Sequence, residues 1–207
     1  MEKIMIIQGS RPETLRLSVI LKKLDKLANT ILVHTGQNYD ERLNDIFFKE
    51  LELRAPNYSL GVKTGNFGEQ IGLIFTKIDE IITKESPSKV LILGDTNSAL
   101  AAIIAEKKGT PVFHMEAGNR CFDRTVPEEI NRKLVDSIST YNLPYTQLSK
   151  ENLLKDGISK DRIFVTGNPI YEVMETYKAQ IDSSTIFAQF NNIIPQHYFL
   201  ATFHRAE

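Results

Sequence analysis

Lys89-Val90-Leu91-Ile92-Leu93-Gly94-Asp95-Thr96-Asn97-Ser98 is an apolar run that breaks at a glycine into short polar residues. No polar position interrupts residues 90–93, so the run reads as a strand buried on both faces, as in a parallel sheet. Similar runs occupy 4–8, 30–34, 111–115, 141–146, 163–165 and 198–203. Amphipathic segments lie between them. Residues 13–27 set Leu17, Ile20, Leu21 and Leu24 on one stripe, and 68–82 do the same with Ile71, Phe75, Ile78 and Ile82. Helical patterns at 97–108, 127–139, 150–156 and 169–178 follow. Strand–helix–strand alternation predicts right-handed crossovers and a Rossmann-like, doubly wound α/β sheet. The irregular stretch 53–65 reads as a loop over that sheet.

The character of the chain changes at 182–196, where Asp, Ser, Thr, Asn and Pro mix with isolated apolar residues. A new strand pattern follows. The expected organisation is one α/β domain over 1–180, a linker over 181–196, and the first strand of a second domain over 197–207. A domain does not normally stop one strand after it begins, so a longer parent protein is expected.

Composition narrows the classes. The chain has 207 residues, 42% of them hydrophobic and 25% charged, enough for a sizeable core without covalent staples. The formal net charge of -1 gives no global field for nucleic acid or an anionic membrane, so an anionic ligand must be held by local Arg or Lys. One cysteine, Cys121, allows no intrachain disulfide and fits a reducing compartment. The apolar N-terminal run is too short for a secretion signal, and no stretch approaches the ~20 residues of a membrane span. These features predict a cytoplasmic protein with neither nucleic acid nor membrane as partner.

Ligands of open α/β sheets bind beyond the carboxyl ends of the strands. The first exit is Gly9-Ser10-Arg11-Pro12-Glu13. It is an anion site at a helix N-terminus, a capping box with Ser10 as N-cap and Glu13 at N3, or both. It is not the glycine fingerprint of nicotinamide binding. The second exit, His34-Thr35-Gly36-Gln37-Asn38-Tyr39-Asp40, reads as a polar loop. At Gly94-Asp95-Thr96-Asn97-Ser98, the Asp95 carboxylate either faces the cleft or caps the next helix.

In His114-Met115-Glu116-Ala117-Gly118-Asn119-Arg120, Glu116 stands where the strand meets its loop, and partial burial there would raise its pKa. His114 reads as a satisfied core histidine, and Cys121 as structural. Downstream, Thr125 and Glu128 have capping-box spacing, yet Glu128 and Arg132 also share one helix face. On that helix Ile130, Leu134 and Ile138 read as the core stripe and Glu129 as solvated. Thr166-Gly167-Asn168-Pro169 reads as a plain turn, and His204-Arg205 as either a diphosphate-binding pair or a frayed end.

The order and content of these motifs, from Gly-Ser-Arg-Pro-Glu at 9–13 to His-Arg-Ala-Glu at 204–207, resemble the non-hydrolysing UDP-N-acetylglucosamine 2-epimerase family over essentially the whole chain. The resemblance implies the N-terminal half of a two-domain, GT-B-type enzyme with its active site between the domains. It maps acid/base carboxylates onto Asp95, Glu116 and Glu128, and a further catalytic residue onto His204. It maps substrate-contacting residues onto Arg11, Arg16, Gln37, Arg132 and Arg205. Ser10 replaces the usual Thr, and Arg16 stands where many members have Lys. The segment Asn119-Arg120-Cys121-Phe122-Asp123 looks like the branch that forms UDP-N-acetyl-L-fucosamine from a 6-deoxy-talose precursor.

The implied reaction is epimerisation at C2 of a UDP-N-acetylhexosamine. UDP is eliminated to give a 2-acetamidoglycal and then adds back on the other face. No cofactor or metal is called for, because the overall redox state does not change. The implied partners are a UDP-sugar and, in the full-length form, a second copy of the chain. The chain alone is expected to turn over little. The readings it competes with are a hydrolysing sibling, a GT-B glycosyltransferase and a non-catalytic nucleotide-sugar-binding module.

Overall fold

A computed structural model describes residues 1–36, 41–62, 65–190, 193–194 and 196–201, with 41–45 described by backbone alone. Gln37, His204 and Arg205 lie outside the described residues. By internal contacts the chain divides into two units, Met1–Val173 and Met174–Glu207.

The first unit is built on six parallel strands: β1 (Lys3–Gln8), β2 (Asn29–His34), β3 (Tyr58–Ser59), β4 (Lys89–Leu93), β5 (Val112–Met115) and β6 (Tyr141–Leu143). Their order is β3-β2-β1-β4-β5-β6. The chain therefore winds outward from β1 in one direction and from β4 in the other, which opens a crevice at their carboxyl ends.

Alternation along the strands separates two cores. Met5 and Ile7 of β1 face one layer with Ile31, Val33, Val90, Ile92 and Val112, beneath α3 (Phe67–Glu85), a 3-10 turn (Asn97–Ala101), α4 (Ala102–Lys107) and α5 (Pro127–Ile138). Ile6 faces the other layer with Leu32, Leu91, Leu93 and Met115, against Leu17 and Leu21 of α1 (Arg11–Leu27). Both anticipated stripes pack. Leu17 and Leu21 are buried with Ile20 and Leu24 beside them, and Ile78 and Ile82 are buried with Ile71 and Phe75 beside them. Each such fully buried aliphatic side chain is worth about 1.5–3 kcal/mol.

Several local expectations are corrected. A ten-residue helix α2 (Glu41–Glu50) follows the second strand, where no helix is expected. The stretch expected as a loop contains β3, short enough to need only two ladder positions on β2. Helix 97–108 begins as a 3-10 turn. Residues 163–165 supply one isolated bridge, Ile163 to Asn142, in place of a strand. Residues 198–201 form no strand, because an isolated extended segment leaves its backbone groups unpaired. The chain continues through α6 (Gln147–Lys155), α7 (Pro169–Thr176) and α8 (Lys178–Asp182).

The largest correction falls on α5. Ile130 and Leu134 are 47% and 44% exposed, while Val135 is fully buried and Ile138 partly so. The inward face is Asn131, Val135 and Ile138, at i, i+4 and i+7. Rotation by one residue turns Glu129 and Asp136, each 1% exposed, toward the protein.

Candidate active site

The capping box at the β1 exit forms, with Ser10 as N-cap of α1. One Glu13 carboxylate oxygen accepts from the Ser10 N–H at 2.6 Å and the Gly9 N–H at 2.9 Å. The other accepts from the Thr96 hydroxyl at 3.0 Å, which ties the β1 and β4 exits together. Burial raises the Glu13 pKa despite these donors. Arg11, the first helical residue, is half-buried and makes no ion pair among the described residues. The two sequence readings of this loop are thus compatible: Glu13 satisfies the helix end, and Arg11 is left as an available cation.

Asp95 and Glu116 follow the adjacent strands β4 and β5, in register from Val90↔Val112 to Leu93↔Met115. Each meets an arginine. Arg132 of α5 reaches Oδ2 of Asp95 through Nε at 2.7 Å and Nη2 at 2.6 Å. Arg16 of α1 donates through Nη1 to Oε2 of Glu116 at 2.6 Å. Asn119 donates to the other Glu116 oxygen at 3.2 Å, and Asn131 to the Asp95 carbonyl at 2.9 Å. The Asp95 side chain does not cap the following 3-10 turn, whose N-cap is Thr96 without a side-chain bond.

Burial pushes the Glu116 pKa up. The Arg16 charge opposes this, and the neighbouring Asp95 charge reinforces it. A carboxyl group whose pKa burial raises is better suited to carry a proton than an ordinary exposed one. Glu116 also holds φ at 67°, a left-handed conformation that costs a non-glycine residue about 1–2 kcal/mol.

The loop that holds Glu116 is fixed from below. Gly118 has φ of 76°, and a Cβ there would lie 2.1 Å from the Ser149 carbonyl oxygen, so only glycine fits. Its N–H donates to Asp136 at 3.1 Å, and Asn152 donates to its carbonyl at 3.0 Å. Arg120 joins Asp136 and Asp156, each at 2.7 Å. His114 is buried as anticipated, 1% exposed, with Nε2 at 2.8 Å from the Gly94 carbonyl, but its Nδ1 makes no hydrogen bond among the described residues and lies 2.9 Å from Asp136 Oδ1.

At the start of α5 the N-cap is Val126, not Thr125, so the anticipated Thr125–Glu128 box is absent. Thr125 bonds instead to Asp123, through its N–H at 2.9 Å and its hydroxyl at 2.7 Å. Glu129, expected to be solvated, accepts from Arg132 at 3.1 Å, from the Cys121 N–H at 3.1 Å and from the Phe122 N–H at 3.3 Å. Burial opposes its ionisation, but these donors prevail and lower its pKa. Glu128 is half-buried in the same turn and bonds to neither Asp95 nor Glu116. The Cys121 thiol donates to Glu129 at 3.4 Å, in keeping with a structural role.

The structure therefore brings together Asp95, Glu116, Arg16 and Arg132. Glu13 supports the site through the anticipated capping box, and Glu129, Asn131 and Asp136 are the supporting residues that sequence reasoning missed. The i, i+4, i+7 set on α5 was the available signal for Glu129 and Asp136, hidden because Asn131 looks polar. A cavity of about 760 Å³ lies apart from this chemistry, against apolar residues including Ile20, Leu24, Leu91 and Phe113. The turn at Thr166–Pro169 borders that cavity and contributes nothing to the carboxylate pair. Among the described residues no group of His, Cys, Asp and Glu has the arrangement to hold a metal ion.

A doubly wound α/β domain with two arginine-bound carboxylates at its switch point is of the class whose ligands bind beyond the strand ends. Residues 22–207 match the family model for UDP-N-acetylglucosamine 2-epimerase, and the chain belongs to that family. The UDP-N-acetylglucosamine 2-epimerase of Methanocaldococcus jannaschii is 44% identical over 209 residues, covering 99% of this chain and 57% of that protein. A solved M. jannaschii UDP-GlcNAc 2-epimerase, in complex with UDP-GlcNAc and UDP, superposes with a TM-score of 0.86 at 41% identity, covering 91% of this chain and 52% of that one. The enzyme from Rickettsia bellii superposes with a TM-score of 0.87 at 44% identity, covering 91% and 51%. The chain thus spans about half the length of the relatives it matches.

Proposed function

We propose that this chain supplies the sugar-side half of the cleft of an enzyme that epimerises C2 of a UDP-N-acetylhexosamine, of the UDP-GlcNAc to UDP-ManNAc type. The observation that carries this is the pairing of Asp95 and Glu116 on adjacent strand exits, each bonded to its own arginine. The C2 proton of such a sugar is not flanked by a carbonyl, so direct carbanion formation would be prohibitive. Elimination of UDP and re-addition avoids it. Positive charge then develops at C1 and negative charge on the leaving diphosphate. Carboxylates stabilise the first, and arginines with the α1 N-terminus stabilise the second.

In this reading Glu116, Asp95 and Glu128 remove and return the proton at C2. Glu116 is the group whose burial best suits it to carry a proton near neutral pH. Arg11 and His204 hold the diphosphate, with Arg16, Gln37, Arg132 and Arg205 as further substrate contacts. Residues 1–180 form the N-terminal domain, 181–196 a linker, and 197–207 the start of the domain that carries the uridine contacts. The reading extends to a cytoplasmic, homodimeric full-length enzyme that makes a polysaccharide precursor.

The test is incubation of the full gene product with UDP-GlcNAc in deuterated water. Deuterium at C2 of the UDP-sugar pool is the expected result. Free N-acetylmannosamine with UDP would indicate the hydrolysing reaction, and no exchange would sink the proposal.

A further inference from the structure

His114 is buried between two acceptors. Its Nε2 lies 2.8 Å from the Gly94 carbonyl oxygen, which can only accept. Its Nδ1 lies 2.9 Å from Oδ1 of Asp136, a contact better described as an ion pair than as a linear hydrogen bond. Asp136 is itself ringed by donors, the Gly118 N–H and the Arg120 guanidinium, so it is the ionised partner. A ring protonated at both nitrogens keeps a lone pair from standing within 2.9 Å of either oxygen.

The His114 ring is tied to both strand exits. Gly94, which it binds, precedes Asp95, and Glu116 follows two residues after it on the same strand. We propose that His114 is a positively charged positioning residue, set by Asp136 and Arg120, which fixes the Asp95 and Glu116 strand exits and lessens the repulsion between their carboxylates. This goes beyond the epimerase reading, on which its mechanistic part rests. The groups that bear on its charge are Asp136 from α5, Arg120 and Glu116 from the β5 loop, and Asp95 from the β4 exit, with Arg16 and Arg132 beyond them. Burial opposes the charge, but Asp136 and the Gly94 carbonyl outweigh it and raise the His114 pKa above 6.5. The stability from this pair is fully present below that value and is lost as pH rises through the folded pKa.

Imidazole nitrogen NMR on the labelled chain at about pH 7.5, above the ordinary histidine value, reads the ring directly. Two protonated nitrogens on His114 are expected, and a single neutral tautomer overturns the proposal. In Asp136→Asn the ring should become neutral at that pH, and the carboxyl titration of Glu116, followed by carbon NMR, should move upward. A ring that stays charged, or a Glu116 titration that does not move, also overturns it. If that variant fails to fold, the wild-type ring spectrum still decides. In the full gene product, Asp136→Asn should lower kcat for C2 exchange about tenfold or more with a smaller change in KM. A folded variant with unchanged kcat overturns the positioning role and leaves the epimerase reading standing. Absence of exchange in the wild type sinks that reading instead, while the two NMR results continue to decide the charge of His114 and its effect on Glu116.

Discussion

Arg16 and Glu116 lie 100 residues apart in sequence and meet at 2.6 Å, Nη1 to Oε2, across the crevice between α1 and the β5 exit. The pair joins the half of the sheet that winds out from β1 to the half that winds out from β4. A second pair, Arg132 with Asp95, ties α5 to the β4 exit within the β4 half. Each arginine neutralises one carboxylate.

In the proposed reaction, replacement of Glu116 by Gln should abolish proton transfer by that residue with little effect on folding. General acid–base catalysis contributes about 10²–10⁴-fold, so kcat for C2 exchange in the full gene product should fall within that range. Thermal unfolding should shift little, because the glutamine amide oxygen can still accept from Arg16.

Two neighbouring glutamates should behave differently. Glu129→Gln alters a side chain 1% exposed that accepts from four donors, and should destabilise the fold by about 1–3 kcal/mol in urea unfolding. Glu128→Gln alters a half-buried side chain outside that network and should stay within about 0.5 kcal/mol of wild type. Equal effects would contradict the orientation of α5.

Gly118→Ala should cost about 2–5 kcal/mol, combining a left-handed backbone penalty with overpacking against Ser149 and Leu153. The melting temperature and the Arg16–Glu116 geometry should both suffer, since the same loop carries Glu116. A wild-type melting curve for this variant would show that the loop can move away from α6.

Acid should weaken the fold through Asp136 and Glu129. Both have folded pKa values below their ordinary values of 3.8 and 4.5. Their stabilising contributions are present above those ordinary values and are lost as pH falls through the lowered folded ones. Glu13 acts in the opposite sense. Its raised folded pKa means that protonation favours the native state, so its contribution weakens as pH rises past 4.5. Urea unfolding from neutral to acid pH should therefore show a shallower loss in Glu129→Gln and a steeper one in Glu13→Gln.

The parallel sheet, its exits and most strands and helices were legible in the chain itself, but α2, β3 and the absence of strands at 163–165 and 198–201 were not. Runs such as 89–93 and stripes such as Leu17 with Leu21 follow local rules of period and burial that need no distant partner. The glycine after β4 and the Ser10–Glu13 box are local for the same reason. The sequence also placed Asp95 and Glu116 at strand ends, because the register of a buried strand decides where its polar residues begin. It could not determine the rotation of α5. There Ile130 and Leu134 offer an apolar stripe as good as Val135 and Ile138, and tertiary packing alone chose between them. That choice buried Glu129 and Asp136, gave Arg132 two carboxylates and gave His114 its counter-ion. Long-range electrostatics of this kind depends on distances across the fold, and those exist only once the sheet has brought residues 16, 95, 114, 116 and 132 to one edge.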